Sequence, residues 1–313
     1  MSDSAVLATY ERLWPEARTI RTASFRCGGP RHPRRAADYL GFDLLNGGLR
    51  EVWALSEALH LTDSSNVLDL GCGLGGPARF IAERYRCRVT GIDLTPRQLS
   101  IAQSLTQGLD IEPQIQFIRC DARTLPFADK TFTHVFSNEA LIHVSRKHLA
   151  IQEAFRVMRQ GGVFCVQDPV HDPRFQIPML EDSLHPFSLD EYKSTLHQSG
   201  FCDVSVNDRT HQSEAAYALL WWLVEEGPTS PWQISKAIDH LHPGVLPPLW
   251  RFLNPTRLRH VLRYVRNRSR ATLDLLEDHD RVVGVRRMCA RIVSGYRTGA
   301  IRFYLISARK PDV

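Results

Sequence analysis

NVLDLGCGLGG, residues 66–76, joins a short apolar run to four glycines within six positions. The apolar run is typical of a buried strand. Glycine lets the backbone approach a ligand closely, and a helix that follows offers N–H groups with no partner inside the helix. The next residues, GGPARFIAERY, carry apolar side chains at helical spacing and a proline in the first turn. The stretch therefore predicts a strand, a tight turn and a helix arranged around a bound small molecule.

Apolar runs alternate with amphipathic segments from residue 66 to residue 169, which is the pattern of repeated strand–helix–strand units. Within them, Thr95 is a predicted N-cap with Pro96 at the first helical position, and IQEAFRVMRQGG (151–162) is a predicted helix closed by a glycine. Seven strands are predicted, namely NVLDL, CRVTGIDL, IQFIRCDA, THVFSNEA, GVFCVQDP, CDVSVNDRT and IRFYLISARK.

The whole-chain composition is that of an ordinary globular protein, with 43% apolar and 23% charged residues among 313. Its beginning, MSDSAVLATYERLW, lacks a basic segment followed by an apolar one, so we expect no signal peptide. No run approaches the ~18 apolar residues of a membrane-spanning helix. The seven cysteines are scattered without a CxxC pair, which predicts free thiols in a reducing cytoplasm.

The glycines alone are compatible with more than one nucleotide. Gly71, Gly73 and Gly76 fit GxGxxG, a weak signal for a dinucleotide. Asp69, two positions before the first glycine, would repel a pyrophosphate but would favour a cationic aminoacyl group. An NAD-dependent oxidoreductase is therefore the less favoured hypothesis.

Two further acids end the next strands. Asp93 is placed to accept both hydroxyls of a ribose, and Asp121 lies where an adenine edge is read. Together with Asp69, they favour S-adenosylmethionine as the ligand.

Four motifs carry a family resemblance over roughly residues 60–210: DLGCGLGG, GIDLTPRQLSIAQ, DARTLPFADKTFTHVFSNEALIH and RVMRQGGVFCVQDP. In this order and spacing they resemble the class I S-adenosylmethionine-dependent methyltransferases. GCGLGGPAR, LTPRQ and EALIH are most similar to the small-molecule branch with glycine/sarcosine and phosphoethanolamine N-methyltransferases and tocopherol and sterol C-methyltransferases. The resemblance implies an α/β fold, a Rossmann-like seven-stranded mixed sheet with helices on both faces and an antiparallel last strand, plus a helical cap.

The resemblance also implies which residues bind S-adenosylmethionine, with S-adenosylhomocysteine as the product. At the methionine end they are Asp69, Gly71, Gly73 and Gly75; at the ribose, Asp93 and Leu94; at the adenine, Asp121 and Ala122; Asn138 with Glu139 closes the pocket, and Cys72 and Gln98 complete the set.

His143 is the predicted catalytic residue. Methyl transfer needs an acceptor lone pair in line with the methyl group and a base where the acceptor carries a proton. Histidine titrates near neutrality, and a histidine at the matching EAxxH position takes part in deprotonation in the phosphoethanolamine-type relatives. The alternative is a histidine that only supports its neighbours. Because only Asp168 stands where metal-dependent relatives place their acids, we predict no metal, and a structural or substrate-facing role for Asp168.

The segments outside the core are predicted to enclose the binding site of a small-molecule acceptor. We predict an N-terminal helical lid at 1–60, the cofactor-binding core at 61–210, a helical insert over the acceptor site at 211–300, and the last core strand at 301–313. In the insert, Tyr217, Trp221 and Trp222 form either an aromatic cage for a methylated ammonium or an ordinary apolar helix face.

The positive charge is concentrated late in the chain, where residues 251–310 carry 15 Lys and Arg against 4 Asp and Glu. RLRHVLRYVRNRSR (257–270) is either a solvated helix face, a peripheral contact for an anionic or lipid-like substrate or membrane, or a surface for nucleic acid or a protein partner. We expect no nucleic-acid substrate, since LPPLW (246–250) lies in the insert and the core is acidic. The oligomeric state is left open.

The sequence thus predicts methyl transfer to a small molecule, with an amine nitrogen as the first choice of acceptor atom. Oxygen or carbon of a phenolic or isoprenoid metabolite is the alternative. An accessory protein that binds S-adenosylmethionine without catalysis is the alternative from another class.

Overall fold

The computed structural model describes residues 4, 6–8, 49–180, 182–225 and 279–312. In chain order the main elements are α1 Leu49–Ala58, β1 Asn66–Leu70, α2 Gly76–Tyr85, β2 Arg88–Asp93, α3 Pro96–Thr106, β3 Ile115–Arg119, β4 Phe132–Asn138, α4 Lys147–Val157, β5 Met158–His171, α5 Leu189–Gln198, β6 Cys202–Asp208, α6 Thr210–Glu225, α7 His279–Thr298 and β7 Ile301–Arg309. All seven predicted strands are present.

The strands form one sheet in the order β3-β2-β1-β4-β5-β7-β6. Strands β1 to β5 pair in parallel, and β7 runs antiparallel to both β5 and β6. The mixed seven-stranded sheet predicted by resemblance is thereby confirmed. In such a sheet the strand order reverses between β1 and β4, and ligands bind at the carboxyl ends of the strands at that point.

Helices cover both faces of this sheet. Consecutive side chains of a strand point to opposite faces, so Val67 and Leu68 of β1 belong to different cores. On the Val67 face the sheet packs against α1, α2 and α3, whose buried residues include Leu55, Ile81 and Leu105. On the Leu68 face it packs against α4 and α5. The two layers hold the strand ends of the site rigidly.

The helix predicted to end at the glycines of residues 161 and 162 ends earlier, so this prediction was wrong. Helix α4 stops at Val157, and β5 begins at Met158. The cause is tertiary pairing: the N–H of Gly161 donates to the carbonyl of Lys310, and the N–H of Lys310 donates to the carbonyl of Gly162. The predicted start of α3 is confirmed, with Thr95 as N-cap and Pro96 in the first turn.

Helices α6 and α7 meet in a third apolar cluster with the first residues of β7. The rings of Tyr217 in α6 and Tyr296 in α7 lie 6.0 Å apart between centroids. The predicted lid at 1–60 falls mostly outside the described residues, as do 226–278 of the insert with the basic run and LPPLW. The lid and the insert boundaries therefore stay predictions. In the part of the chain that is described, no helix is both long and apolar enough to cross a membrane.

Candidate active site

A cleft of about 1070 Å³, measured out to its mouth, opens at the carboxyl ends of β1, β2, β3 and β4. Eleven of the thirteen predicted site residues line it: Gly71, Cys72, Gly73, Asp93, Leu94, Gln98, Asp121, Ala122, Asn138, Glu139 and His143. The two that do not line it are Asp69 and Gly75. Val6 from the N-terminal region also lines the cleft.

The glycine turn is hydrogen-bonded to β2 and packs closely against Ala140, which follows β4. The N–H groups of Gly71 and Cys72 both donate to the carbonyl of Ile92, at 2.9 and 2.8 Å. Gly71 has a φ of +76°, and a Cβ built there would lie 2.3 Å from the Cβ of Ala140. Only glycine satisfies both the left-handed backbone and this close approach.

Gly75 and Asp69 support the turn from outside the cleft. Gly75 precedes α2 with a φ of +75°, and a Cβ there would lie 2.7 Å from the ring of Phe117. Asp69 is 1% exposed within β1, beside Gly91 of β2. Its negative charge adds to the effect of burial in raising the pKa of the Cys72 thiol. Neither residue lines the cleft in this structure, and their place at the methionine end stays a prediction from the resemblance.

Asp93 joins the glycine turn to the start of α3. Its carboxylate accepts hydrogen bonds from the N–H groups of Gly73 and Thr95, at 2.9 and 2.8 Å. With its nitrogen turned toward Asp93, the amide of Gln98 lies 3.1 and 3.2 Å from the two carboxylate oxygens. Burial raises the pKa of Asp93, and these N–H donors oppose the rise. The carboxylate stands where a ribose diol can be bound.

Asp121 is paired with a residue that sequence reasoning missed. The guanidinium of Arg123 donates to both carboxylate oxygens, with the shortest bond at 2.5 Å, and its backbone N–H donates at 2.8 Å. Burial would raise the pKa of Asp121, but the hydrogen bonds from Arg123 outweigh it and lower the pKa. Arg123 also lines the cleft and donates to Ser145 at 2.8 Å. The signal in the sequence was the Asp-x-Arg spacing, in which an aspartate caps the N–H two residues later.

Asn138 lines the cleft with its side-chain amide. The residue is 4% exposed. Neither its side-chain nitrogen nor its oxygen has a hydrogen-bond partner among the described residues. Buried polar groups are nearly always hydrogen-bonded, and an exception needs an explanation such as a missing ligand. The amide is therefore available, among the described residues, for the polar ligand contact that the resemblance predicts at the end of β4.

Glu139 follows with a left-handed φ of +51°. Its N–H donates to the carbonyl of Gln167 at 2.7 Å, and its carboxyl accepts from the hydroxyl of Tyr217 at 2.9 Å. Burial, with smaller contributions from Asp168 and Glu51, raises the pKa of Glu139 well above its usual value. Tyr217 thus bonds the end of β4 to α6. The side chains of Trp221 and Trp222 lie outside the described residues, so the cage hypothesis stays a prediction.

His143 lies in a 3₁₀ turn, Leu141–His143, beside the cleft. Its Nδ1 is 2.9 Å from the carbonyl oxygen of Ser183. Burial lowers the pKa of His143 to about 4, and the positive charges of Lys147 and His185 act in the same direction. Burial of the ring thus favours the neutral imidazole at pH 6.5, whereas the sequence predicted titration near neutrality.

Asp168 does not line the cleft. The hydroxyl of Tyr192 donates to its carboxylate at 2.5 Å. Burial raises the pKa of Asp168 to about 7. Among the described residues no group of three or more His, Cys, Asp or Glu is arranged to hold a metal ion. These contacts favour the structural role for Asp168.

The comparisons with known proteins agree with this geometry. Residues 68–166 match the family model described as "Methyltransferase domain". The chain is 29% identical over 164 residues to the sarcosine/dimethylglycine N-methyltransferase of Halorhodospira halochloris, matching 50% of this chain and 59% of that protein. It thus spans less than two thirds of the length of that relative.

The O-methyltransferase rstn1 of Aspergillus nomiae is 30% identical over 161 residues, which cover 49% of this chain and 72% of that one. A crystal structure of geranyl diphosphate C-methyltransferase from Streptomyces coelicolor, in complex with Mg²⁺, geranyl diphosphate and S-adenosyl-L-homocysteine, has a TM-score of 0.57 at 16% identity, covering 83% of this chain and 78% of that one. The chain belongs to the class I S-adenosylmethionine-dependent methyltransferase family.

Proposed function

We propose that this protein transfers a methyl group from S-adenosylmethionine to a small molecule, with an amine nitrogen as the first choice of acceptor atom. The observation that carries the proposal is the convergence of Asp93, Asp121 and Asn138 on one cleft beside a glycine turn. When bound, S-adenosylmethionine supplies an activated methyl group on a sulfonium.

The residues fit the three parts of this cofactor. The glycine turn permits close approach of a ligand, and Asn138 has an amide whose donor and acceptor atoms suit an aminoacyl group. Asp93 offers its carboxylate to the ribose, held in place by the N–H groups of Gly73 and Thr95. Asp121 and Ala122 line the side assigned to the adenine. The pairing with Arg123 fixes the Asp121 carboxylate in one orientation.

His143 is the proton acceptor of the proposal. Its depressed pKa makes it a poor base toward a free alkylammonium, whose pKa is about 10. The acceptor must therefore enter with its lone pair available. As the carbon–sulfur bond breaks and the new bond to carbon forms, with S-adenosylhomocysteine as the leaving group, the acceptor atom becomes positive and its proton becomes more acidic than it was in the neutral acceptor. The neutral imidazole accepts that proton at this stage, so the acceptor–carbon bond forms while the acceptor–hydrogen bond breaks.

The acceptor atom itself is the least constrained part of the proposal. Among the relatives, one is named an N-methyltransferase, one an O-methyltransferase and one a C-methyltransferase. An amine is favoured because the EALIH motif resembles the branch that includes amine methyltransferases. Phenolic and isoprenoid acceptors remain the alternative.

Two further parts of the proposal concern the setting of the enzyme. The six cysteines in the described ranges are free thiols, which supports a reducing, cytoplasmic compartment. A peripheral contact through the basic run at 257–270 is retained as a hypothesis from its charge.

The test is release of S-adenosylhomocysteine over a panel of amines, phenols and prenyl compounds. We expect turnover with at least one amine, and turnover that depends on Asp93. Turnover with phenols or prenyl compounds alone would move the assignment to O- or C-methylation. Tight binding of S-adenosylmethionine with no turnover over the whole panel would favour the noncatalytic accessory protein.

A further inference from the structure

Lys147 is a buried lysine close to the proposed catalytic histidine, and the function proposed above does not use it. It is the first residue of α4 and is fully buried. Its Nζ donates to the carbonyl oxygen of His185 and lies 4.6 Å from the centroid of the Phe187 ring. A buried ammonium group is unfavourable unless its hydrogen bonds are satisfied. The hydrogen bond to the His185 carbonyl therefore replaces a contact with water that an exposed ammonium group would make.

The backbone that Lys147 contacts is the one that contacts His143. We call residues 183–187 the clamp segment. Its His185 N–H donates to the carbonyl of Ile142 at 2.7 Å, and its Ser183 carbonyl lies 2.9 Å from Nδ1 of His143. Lys147 therefore holds the clamp segment from one side while the 3₁₀ turn holds it from the other.

The clamp segment determines where the proton of His143 resides. A carbonyl oxygen can only accept a hydrogen bond, so the ring nitrogen that faces Ser183 must be the one that carries the proton. A neutral imidazole has a single N–H. The lowered pKa of His143 keeps the ring neutral at ordinary pH. Nε2 is consequently the basic nitrogen, and it is so only while the Ser183 carbonyl stays in place.

We propose that Lys147 is a positioning residue, which anchors the clamp segment through the His185 carbonyl and so fixes His143 with Nε2 as its proton acceptor. The proposal rests on the function proposed above, in which His143 takes the proton of the acceptor. It adds that the orientation of this base depends on a lysine outside the cleft.

Lys310 provides a matched control. It is 8% exposed, its Nζ donates to the carbonyls of Phe155 and Met158 at 2.6 and 2.8 Å, and it lies 4.3 Å from the centroid of the Phe155 ring. Like Lys147 it contacts backbone carbonyls and an aromatic ring, although Lys147 also faces the carboxylates of Asp168 and Glu191. The backbone of Lys310 pairs with Gly162 near the start of β5, at the end of the sheet opposite the cleft. Lys310→Met thus removes the same kinds of contact without touching the clamp segment.

The experiment compares Lys147→Met with Lys310→Met in two measurements. Nitrogen NMR of the histidine rings, in protein with ¹⁵N-labelled histidine, gives the tautomer of His143, whose signal is identified by its loss in His143→Gln. Turnover is measured with the best acceptor of the panel, beside the dissociation constant of S-adenosylhomocysteine. In wild type we expect the Nδ1–H tautomer. In Lys147→Met we expect a mixture of tautomers, a kcat lowered by up to ~10²-fold, as for a misplaced catalytic group, and unchanged affinity for S-adenosylhomocysteine. Lys310→Met should keep the tautomer and kcat of wild type.

An unchanged tautomer in folded Lys147→Met would overturn the proposal. A changed tautomer with unchanged kcat would also overturn it. His143→Ala then distinguishes the two failures: full activity of that variant means that the base role itself has failed, and a lowered kcat means that only the role of Lys147 has. Should Lys147→Met not fold, the shorter and uncharged Lys147→Gln replaces it, with the same direction of change expected and the same outcomes decisive.

Discussion

The hydroxyl of Tyr217 donates to the buried carboxyl of Glu139 at 2.9 Å, which joins helix α6 to the end of strand β4 beside the cleft. The two residues lie 78 positions apart in the sequence. The insert is therefore bonded directly to the wall of the proposed active site.

Tyr217→Phe tests the strength of this contact. It leaves a buried carboxyl oxygen without its donor, which costs about 1–3 kcal/mol. We expect a loss of that size in the free energy of unfolding, measured by urea denaturation. Tyr85→Phe is the control: its hydroxyl lies 3.1 Å from a carboxylate oxygen of the exposed Glu57 and 3.2 Å from Oγ of Ser56, which keeps its own bond to the carbonyl of Trp53, so this variant should lose less. Equal losses in the two variants would contradict the importance of the Glu139 contact.

Glu139→Gln tests the protonation of the same carboxyl. The pKa of Glu139 in the folded protein lies well above its usual 4.5, mainly because of burial. Between the unfolded and the folded pKa the folded state binds more protons, so wild-type stability falls as the pH rises above about 4.5. The amide variant does not titrate and can still accept from Tyr217. The melting temperature of Glu139→Gln minus that of wild type should therefore increase from pH 4.5 to pH 8. A difference that is the same at every pH would show that the pKa of Glu139 is not raised.

The sequence was sufficient for the seven strands, because short apolar runs and glycine turns are local signals, whereas the mixed strand directions were predicted from the family resemblance. It was also sufficient for most of the cleft, since the ends of parallel strands meet at one edge. The early end of α4 at Val157 was missed because Gly161 and Gly162 pair with Lys310, a contact between residues far apart in the chain. The lowered pKa of His143 was not predicted for the same kind of reason, because it depends on burial in the folded chain and on the charge of His185, a residue distant in the sequence.

Gly71→Ala should disrupt the turn. The new methyl group would lie 2.3 Å from the Cβ of Ala140 in a backbone of φ +76°. Gly108→Ala is the control: its φ is +79°, but a Cβ there meets nothing within 4 Å. Both variants bear the ~1–2 kcal/mol of a left-handed residue, whereas Gly71→Ala adds a clash of about 1–3 kcal/mol. Calorimetric titration should show weakened S-adenosylhomocysteine binding only in Gly71→Ala, and equal binding in both would exclude the close approach at Ala140.

His143→Ala should lower kcat by the ~10²–10⁴-fold typical of a general base, with little change in cofactor affinity. Because the pKa of His143 is lowered to about 4, its contribution to the wild-type kcat/KM should rise through that pH and be constant through neutrality. A second limb near pH 10 belongs to an amine acceptor and should persist in the variant. The measurement is a pH–rate profile over the range in which circular dichroism shows the protein folded. A limb near pH 6.5 that His143→Ala abolishes would contradict the depressed pKa, and full activity of the variant would contradict the base role.

The central claim is that this cleft binds S-adenosylmethionine with Asp93 on its ribose, and calorimetric titration with S-adenosylhomocysteine tests it most directly. Wild type should bind. Asp93→Ala should bind about 30–1,000-fold more weakly, because it loses charge-assisted hydrogen bonds worth ~2–4 kcal/mol. Asp110→Ala, which removes an exposed carboxylate, is the control and should bind as wild type does. Asp93→Asn separates charge from turn geometry, since its amide oxygen can still accept from an N–H of the turn. Wild-type affinity in a folded Asp93→Ala, or no binding by wild type, would contradict the account.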